Sequence, residues 1–541
     1  MSKNKTNFLV QGSILAMSGI LVRLIGIIYR VPVQNIIGTE GQTYYGVAYD
    51  VYSLFLLISS MSMPLAVSKI VSAKVARNEI KNAYKAFFGA LFIGVIIGLI
   101  VASVMFFGAE GFADLCAYPS AAPAIKILAP VLFIMSVLGV LRGFFQGMGT
   151  MMPTAISQIL EQIANAIVSI VGAMVLFKMG KTASEHAAYG AAGSTLGTLV
   201  GASVAFVFLV FVFLIYVPVL KRQVRKNRYV REESYGDLLK ELLYTILPVL
   251  LSTTIYNFSS ILDSSVFGNI CEGIFHMKQS EYASLYGIYS GSYKLITTAP
   301  IAVASALSSA IIPSIIRSVT AGDRRMTFSK IESSMKLTMI FAIPAGAGLS
   351  VLGGPILDLL FGLGGNGQAV GIMWLSILTV VVFSMSTISN AVLQGIDRMK
   401  TPIINAGISM VLHYIFLIVS LIVFKPNLYV VVIADIIFGL VVCILNAISI
   451  YRYIGYRQEI VKTFLLPLIS AAIMAIFTFC SYKVFYLLTE INAISCMIAI
   501  FVAIIVYGIT LLLLRGIEEE EILMLPKGRS ILNLLQKLRL F

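Results

Sequence analysis

Charged residues are scarce in this sequence, and this scarcity is the first constraint on the class of protein. Only 12% of the 541 residues are Asp, Glu, Lys or Arg, whereas a soluble domain has roughly 25%. Cysteine and histidine are also rare, at five and three residues, and no cysteines have the spacing of a CxxC or zinc motif. The sequence therefore argues against a disulfide-rich secreted scaffold, and it predicts neither a metal site nor a cofactor.

Long apolar runs are what the sequence has instead. Hydrophobic residues make up 59% of the chain, and the mean hydropathy is +0.94. The runs are continuous, unlike the short alternating strands of a membrane barrel, so we predict an all-α polytopic membrane protein. Fourteen segments are long enough to cross a bilayer: 8–37, 44–70, 84–108, 122–148, 153–177, 187–217, 237–268, 283–315, 333–357, 368–395, 402–424, 428–452, 462–487 and 491–515.

The net charge of +14 is explained by the positions of the basic residues. Thirty of the 39 Lys and Arg residues are assigned to the termini and to loops on one side of the predicted spans, and six to the other side. The remaining three, Arg23, Arg30 and Lys294, fall within spans. The positive-inside rule then predicts that both termini are cytoplasmic. Because topology accounts for the charge, no nucleic-acid partner is expected.

The first span, FLVQGSILAMSGILVRLIGIIYRVPVQNIIG, contains two arginines seven residues apart. Seven residues make nearly two helical turns, so Arg23 and Arg30 share one face. An arginine in hydrocarbon is costly unless it pairs, snorkels or faces water. We therefore predict that this face lines an aqueous cavity that binds an anion, with snorkelling as the alternative, mainly for Arg30. Asp50 in the second span either neutralises these arginines or faces water at the interface.

Three further charged residues within predicted spans are candidates for the same cavity. Glu161 belongs to a polar stripe on the fifth span and either lines the cavity or anchors helix packing. Asp263 lies on a polar face of the seventh span, which corresponds by repeat to the arginine face of the first. Lys294 lies inside the eighth span, with snorkelling as its alternative. The other members of the stripe on the fifth span are Gln158, Gln162 and Asn165.

Three more polar residues have no assigned function. His413 and Asp435 are isolated in the eleventh and twelfth spans, and a helix–helix hydrogen bond is the favoured interpretation for such a histidine, ahead of a proton relay. Lys69 begins a basic stretch that the topology places in the cytoplasm.

A weak internal repeat divides the chain into two halves. The residues YGV and YSL at 45–54 recur at identical spacing as YGI and YKL at 286–295. The block from Gln-Gly to Pro at 146–153 recurs at 394–402 with a slip of one residue. Such symmetry is typical of transporters, so we predict two homologous lobes of six helices each, followed by two extra helices. The predicted segments are an N-terminal lobe at 1–220, a basic cytoplasmic linker at 221–236, a C-terminal lobe at 237–456, the last two spans at 457–516 and an amphipathic cytoplasmic tail at 517–541.

These motifs resemble a known family. The first span with Arg23, the block MPLAVSKIVS at 63–72 and especially LRGFFQGMGTMMPTAISQILEQI at 141–163 are similar to the Gram-positive MurJ and SpoVB-type polysaccharide-biosynthesis proteins of the MOP superfamily. The resemblance covers essentially the whole chain. It implies a central cationic cavity between two lobes, a groove for a polyprenyl tail formed with the last two helices, and the flipping of lipid II across the cell membrane of a Gram-positive bacterium.

The resemblance also implies what the protein interacts with. Its partners would be a lipid-linked oligosaccharide and membrane lipids, it would act as a monomer, and any coupling ion is unidentified. Arg23 matches the family's arginine in the first span, and Lys294 matches a basic residue in the eighth. Some Gram-negative members have a second arginine where this chain has Tyr29, an acidic group near Thr43 and an arginine near Leu56, so the cavity here is less cationic.

Other functions make different demands on the sequence. A flippase for teichoic-acid, capsule or exopolysaccharide units is hardly separable from a lipid II flippase on these residues. A multidrug exporter would need a less cationic cavity and a coupling carboxylate in the first span. A membrane-embedded glycosyltransferase would need catalytic carboxylates in a substantial loop, and the predicted outer loops are short. We therefore predict a transporter, with no enzyme activity and no catalytic residues.

Overall fold

A computed structural model describes residues 2–61, 63–226, 233–237, 240 and 261–517. Every regular element in these ranges is a helix. Most of the predicted seventh span, including the polar positions before Asp263, and the tail at 518–541 lie outside the described residues. Contacts divide the chain into a first unit, Met1–Gly287, and a second unit, Ile288–Phe541.

The first unit consists of long helices with short connections. A π-helical turn, Leu57–Met61, interrupts the chain between α1 and α2. The helices are α1 (Ser2–Leu56), α2 (Met63–Ala76), α3 (Ile80–Phe107), α4 (Ala109–Leu115), α5 (Ala122–Gly147), α6 (Met152–Phe177), α7 (Ala183–Lys226), α8 (described over 261–273) and α9 (Gln279–Gly287).

The second unit also consists of helices with short connections and π-helical turns. Two π-helical turns, Ile288–Tyr293 and Val461–Leu465, precede α10 and α16. The helices are α10 (Lys294–Thr320), α11 (Arg324–Phe361), α12 (Gly367–Met373), α13 (Ser376–Gly395), α14 (Lys400–Phe424), α15 (Leu428–Ile454), α16 (Leu466–Thr489) and α17 (Asn492–Leu513).

Eleven helices among the described residues are long and apolar enough to cross a membrane. This confirms a polytopic helical membrane protein. One continuous stretch, Met17–Ala76, covers the first two predicted spans, and the other ten helices cover the third to sixth and the ninth to fourteenth. The count of fourteen, the cytoplasmic termini and the predicted lobes at 1–220 and 237–456 stay predictions.

The chain reverses direction at Gly38, within α1. Gly38 has φ 70° and ψ −179°, a conformation that glycine adopts without steric cost. The hydroxyls of Tyr29 and Tyr45 lie 3.4 Å apart, whereas sixteen residues of straight helix would separate them by about 24 Å. The two arms of α1 therefore lie antiparallel, as expected for the first two predicted spans.

Both units use the Gln-Gly turn in the same way. Helix α5 ends at Gly147 and α13 ends at Gly395, and the next helices begin at Met152 and Lys400, each with a proline in its first turn. A Cβ at Gly147 would lie 2.7 Å from the Cβ of Val71 on α2, and a Cβ at Gly395 would lie 2.8 Å from the Cγ2 of Ile315 on α10. Each glycine thus permits close helix packing, which gives a physical reason for the repeated sequence block.

The basic residues at the predicted cytoplasmic end of the first unit are partly structural. Lys74 is buried and pairs with the Glu233 carboxylate, and the Glu233 backbone N–H donates to Asn82 at 3.2 Å. The linker predicted at 221–236 is therefore docked at Glu233, while α7 extends into it as far as Lys226. Lys74 belongs to the basic stretch that begins at Lys69, so this stretch is not solvated along its whole length.

Candidate functional site

The two arginines of α1 are both accessible to solvent. They differ in their surroundings. Protein atoms surround Arg30 closely, and its guanidinium interacts with the phenol groups of Tyr29, Tyr45 and Tyr49. A side chain that is accessible to solvent and also has many protein neighbours is expected to line a concave surface, and Arg30 has both properties. Of the predicted pair, Arg30 is the arginine whose protein neighbours the structure defines, and the roles of Arg23 and Arg30 in a cavity stay predictions.

A cluster of tyrosines forms the wall beside Arg30, which we call the tyrosine cluster (Tyr29, Tyr45 and Tyr49). Tyr29 and Tyr45 are both 4% exposed, and the rings of Tyr45 and Tyr49 are 4.5 Å apart between centroids. The Tyr49 hydroxyl contacts the Thr198 hydroxyl on α7. Because buried phenols are held by such contacts, the cluster supplies fixed hydroxyl groups around the guanidinium.

Helix α6 supports this cluster through the predicted polar stripe. The Asn165 amide donates to the Tyr29 hydroxyl at 3.5 Å, and the Ser169 hydroxyl donates to Asn165 Oδ1 at 2.9 Å. A Cβ at Gly26 would lie 3.3 Å from Nε2 of Gln162, so this glycine lets α1 approach α6 closely. The stripe therefore faces the arginine-bearing helix, as its spacing predicts.

Glu161, the charged member of the stripe, is held in an ion pair. Arg142 on α5 donates from Nη2 to Glu161 Oε2 at 2.6 Å and from Nε to the Ser157 hydroxyl at 3.1 Å. The two side chains are only 9% and 23% exposed. Of the two roles left open for Glu161, the geometry provides the helix-packing anchor, here between α5 and α6.

Arg142 is the residue that sequence reasoning missed. It is 8% exposed and lies within α5, near the end of the predicted span 122–148, although the count of basic residues treated it as a loop residue. The available signal was its position in LGVLRGFFQG, where apolar residues flank it on both sides. An arginine in such a setting needs a buried partner, and the nearest acidic residue on the next helix is Glu161.

Asp50 and Asp263 occupy different environments in the first unit. Asp50 is half-buried and lies within electrostatic reach of the Cys116 thiol. Asp263 is 5% exposed and lies on α8. Their predicted roles in an anion-binding cavity stay predictions.

Lys294 lies at the start of α10 in a polar cluster of the second unit. Its ammonium group is 4.6 Å from the centre of the Tyr289 ring, and the Tyr289 hydroxyl donates to the Asp435 carboxylate. A ring nitrogen of His413 and a carboxylate oxygen of Asp435 lie within 4.8 Å of each other. The His413 ring also contacts the Ala434 carbonyl at 2.9 Å, which is the helix–helix contact favoured for it. Lys294, His413 and Asp435, which were treated as unrelated residues in the sequence analysis, thus belong to one cluster in the structure.

Comparisons with known proteins agree with this architecture. Residues 9–319 match the family described as "Polysaccharide biosynthesis protein". Among curated proteins of Bacillus subtilis (strain 168), the lipid II flippase MurJ is 24% identical over 86% of both chains. Stage V sporulation protein B from the same organism is 25% identical over 74% of this chain and 75% of that protein.

Solved structures show the same fold at lower identity. A lipid II flippase MurJ in an inward closed conformation has a TM-score of 0.64 at 17% identity, covering 92% of this chain and 97% of that one. An inward-facing multidrug resistance MATE family transporter of the MOP superfamily also has a TM-score of 0.64, at 15% identity, covering 80% and 94%. With a family match over more than half of its length, this chain belongs to the polysaccharide biosynthesis protein family and is a multi-pass membrane protein with a MurJ- and MATE-like fold.

Proposed function

We propose that this protein is a flippase that moves a lipid-linked glycan, and most specifically lipid II, from the inner to the outer leaflet of the cell membrane. The observation that carries the proposal is the environment of Arg30. Its guanidinium is accessible to solvent beside the tyrosine cluster, and no carboxylate among the described residues forms a salt bridge with it. A positive charge left unneutralised in a membrane helix is expensive, so an anionic ligand is the natural partner.

The chemistry of a pyrophosphate-linked lipid suits this arrangement. A guanidinium offers fork-shaped, charge-assisted hydrogen bonds to phosphate oxygens, and the tyrosine hydroxyls beside Arg30 add neutral donors. Arg23 lies seven residues away on the same helix, about 10 Å along its axis. An anion that moves along this face would therefore meet a second arginine.

The proposed cycle requires no covalent step. Alternating access exposes the bound headgroup first inside and then outside, and the protein acts as a monomer. Outward movement of an anion is favoured by an inside-negative potential, by about 2.3 kcal/mol per charge per 100 mV if the whole field is crossed. In this proposal Glu161 acts indirectly, because its carboxylate already binds Arg142, while Asp50, Asp263 and Lys294 are further contributors to the cavity.

The choice of lipid II over another polyprenyl-linked glycan is the finer part of the proposal. It is supported by the similarity to the flippase MurJ from Bacillus subtilis and by the arginines of α1. The similarity to stage V sporulation protein B, whose name states no substrate, fits any lipid-linked glycan equally well. Similarity to multidrug transporters is confined to the fold.

The test is a flipping assay with the purified protein in proteoliposomes. Fluorescent lipid II and an undecaprenyl-pyrophosphate-linked teichoic-acid precursor are reconstituted separately, and exposure on the far leaflet is measured over time. We expect faster exposure of lipid II with the wild-type protein and loss of this activity in Arg30→Ala. Arg77→Gln is the matched control, because Arg77 is an exposed arginine in the α2–α3 loop of the same unit.

The outcomes separate the proposals. Faster exposure of the teichoic-acid precursor than of lipid II would keep the flippase and replace its substrate. If neither lipid is moved while a cationic drug is exported, the flippase proposal is wrong. If Arg30→Ala inserts normally into the vesicles and flips lipid at the wild-type rate, Arg30 does not contribute to the substrate site.

A further inference from the structure

A wide crevice lies in the second unit, where α10 and α15 end and α11 begins. It has a volume of about 860 Å³, within the range of small-ligand sites, and no residue proposed above for flipping lines it. Charged and aromatic residues dominate its walls. Those that matter here are Asp323, Arg324, Phe328, Tyr451, Arg452 and Arg457.

Arg324 is fixed in place by three features of the crevice. Its Nη2 donates to the Ile454 carbonyl at 3.0 Å, and its guanidinium carbon is 5.2 Å from the centre of the Phe328 ring. A Cβ at Gly455, which has φ 74°, would lie 2.7 Å from Nη2 of Arg324. The positive φ of Gly455 and its closeness to the guanidinium favour glycine at this position, and the contacts with Ile454 and Phe328 hold the Arg324 side chain at the crevice.

A second arginine is fixed on the opposite segment. The Tyr451 hydroxyl lies near the Arg457 guanidinium and raises the pKa of Arg457. Its guanidinium carbon is 5.5 Å from the centre of the Tyr451 ring. Two ordered guanidinium groups, with Arg452 as a third, thus converge on one crevice from positions about 130 residues apart.

A structural explanation accounts for only part of this arrangement. Arg324 caps the last carbonyls of α15, and basic residues at a helix C-terminus are favourable. However, capping uses one N–H of Arg324 and explains neither the ordered Arg457 nor the exposed Arg452. The acidic residue, Asp323, is engaged as the N-cap of α11, where it accepts from the Met326 N–H at 2.8 Å. Three arginines against one occupied carboxylate leave the crevice strongly positive.

The position of the crevice indicates where its ligand comes from. Helices α11 and α15 are both long and apolar enough to cross a membrane, and the crevice lies at their ends. That level corresponds to the lipid headgroups, where aromatic residues and arginines are typical. The two segments that form it also lie on the side that the charge bias predicts to be cytoplasmic.

We propose that this crevice binds the phosphate group of an anionic membrane lipid, with Arg324 and Arg457 as its principal ligands and Arg452 as a supporting cation. Phosphate oxygens are the acceptors that two convergent guanidinium forks match best. A soluble phosphate ester offers the same chemistry without the acyl chains. The site is separate from the arginine face of α1 and does not depend on the flippase proposal.

The test is native mass spectrometry of the delipidated protein in detergent. Phosphatidylglycerol and phosphatidylcholine with identical acyl chains are added in competition, and glycerol 3-phosphate is added in a separate series. We expect the wild-type protein to prefer phosphatidylglycerol by about tenfold, as two charge-assisted contacts would provide. The double variant Arg324→Gln with Arg457→Gln should reduce this preference to about twofold or less.

Two further variants make the result decisive. Arg325→Gln removes the same charge from an exposed neighbour that does not line the crevice, and we expect it to retain the preference. Arg452→Gln with Arg457→Gln leaves the contact between Arg324 and Ile454 intact, so it tests the site even if the first double variant fails to fold. Equal losses in Arg325→Gln, or an unchanged preference in both double variants, would overturn the proposal. Binding of glycerol 3-phosphate that competes with the lipid, and that the variants abolish, would assign the site to soluble phosphates.

Discussion

Each unit has a basic residue within a predicted span, and the surroundings of the two residues differ. In the first unit, Arg30 lies among tyrosine hydroxyls, and no described carboxylate forms an ion pair with it. In the second unit, Lys294 lies over the Tyr289 ring, whose hydroxyl binds the Asp435 carboxylate. Arg30 thus has no carboxylate partner among the described residues, whereas Lys294 and the Asp435 carboxylate both contact Tyr289. We therefore propose that the stronger anion-binding site lies in the first unit.

The arginine that is neutralised in the first unit should matter most for stability. Arg142→Ala leaves the Glu161 carboxylate buried without its partner, which we expect to lower the free energy of unfolding by about 3 kcal/mol. The double variant Arg142→Met with Glu161→Gln removes both charges and should recover most of this loss. Denaturant titration in detergent measures both. Equal stability of the single variant and the wild type would show that the pair is not desolvated.

Replacing Arg30 and Lys294 separately by alanine tests which of the two contributes more to lipid flipping. Arg30→Ala should lower the rate of lipid flipping by about 100-fold, because two charge-assisted bonds to phosphate are lost. Lys294→Ala should lower it by about tenfold or less, since its charge is already balanced by the cluster of Asp435. The proteoliposome assay gives both rates. A larger loss in Lys294→Ala than in Arg30→Ala would reverse the comparison.

Tyr289 beside Lys294 and Tyr45 beside Arg30 allow the same two surroundings to be compared, with a smaller expected effect. Tyr289→Phe removes a hydrogen bond to a carboxylate, worth about 1.5–3 kcal/mol, whereas Tyr45→Phe removes a contact between neutral hydroxyls worth about 0.5–1 kcal/mol. The free energy of unfolding of the two variants should differ accordingly. Equal losses would indicate that Asp435 takes another donor when Tyr289 cannot supply one.

The smallest effect is expected at an exposed ion pair, which serves as a contrast to Arg142 and Glu161. Lys126 donates to Glu110 at 2.6 Å, and this contact holds the pKa of Glu110 below its ordinary value. The ionised carboxylate therefore contributes stability above that ordinary value and loses it as the pH falls through the lowered pKa. Lys126→Met should lower the unfolding temperature only slightly at pH 7, and not at all in acid or high salt. A large decrease would mean that the pair is shielded from solvent.

The sequence identified the individual charges more successfully than their partners. The spacing of Arg23 and Arg30 predicted a shared exposed face, and the stripe on α6 was correctly oriented, because both follow from helical periodicity within one element. Tyr45 reaches Tyr29 only because the chain reverses at Gly38. Arg142 was assigned to a loop, since nothing local shows that Glu161 lies 2.6 Å from it. The crevice around Arg324 and Arg457 has no sequence signature at all.

Apolar composition is enough to predict a polytopic helical membrane protein. A long apolar run in a bilayer must satisfy its own backbone hydrogen bonds, and helix formation follows from composition alone. The packing of the helices determines which charges are neutralised, which hydroxyls surround Arg30 and which arginines line the crevice. Those outcomes depend on how separate helices pack against one another, and spacing along the chain carries no information about distances between helices.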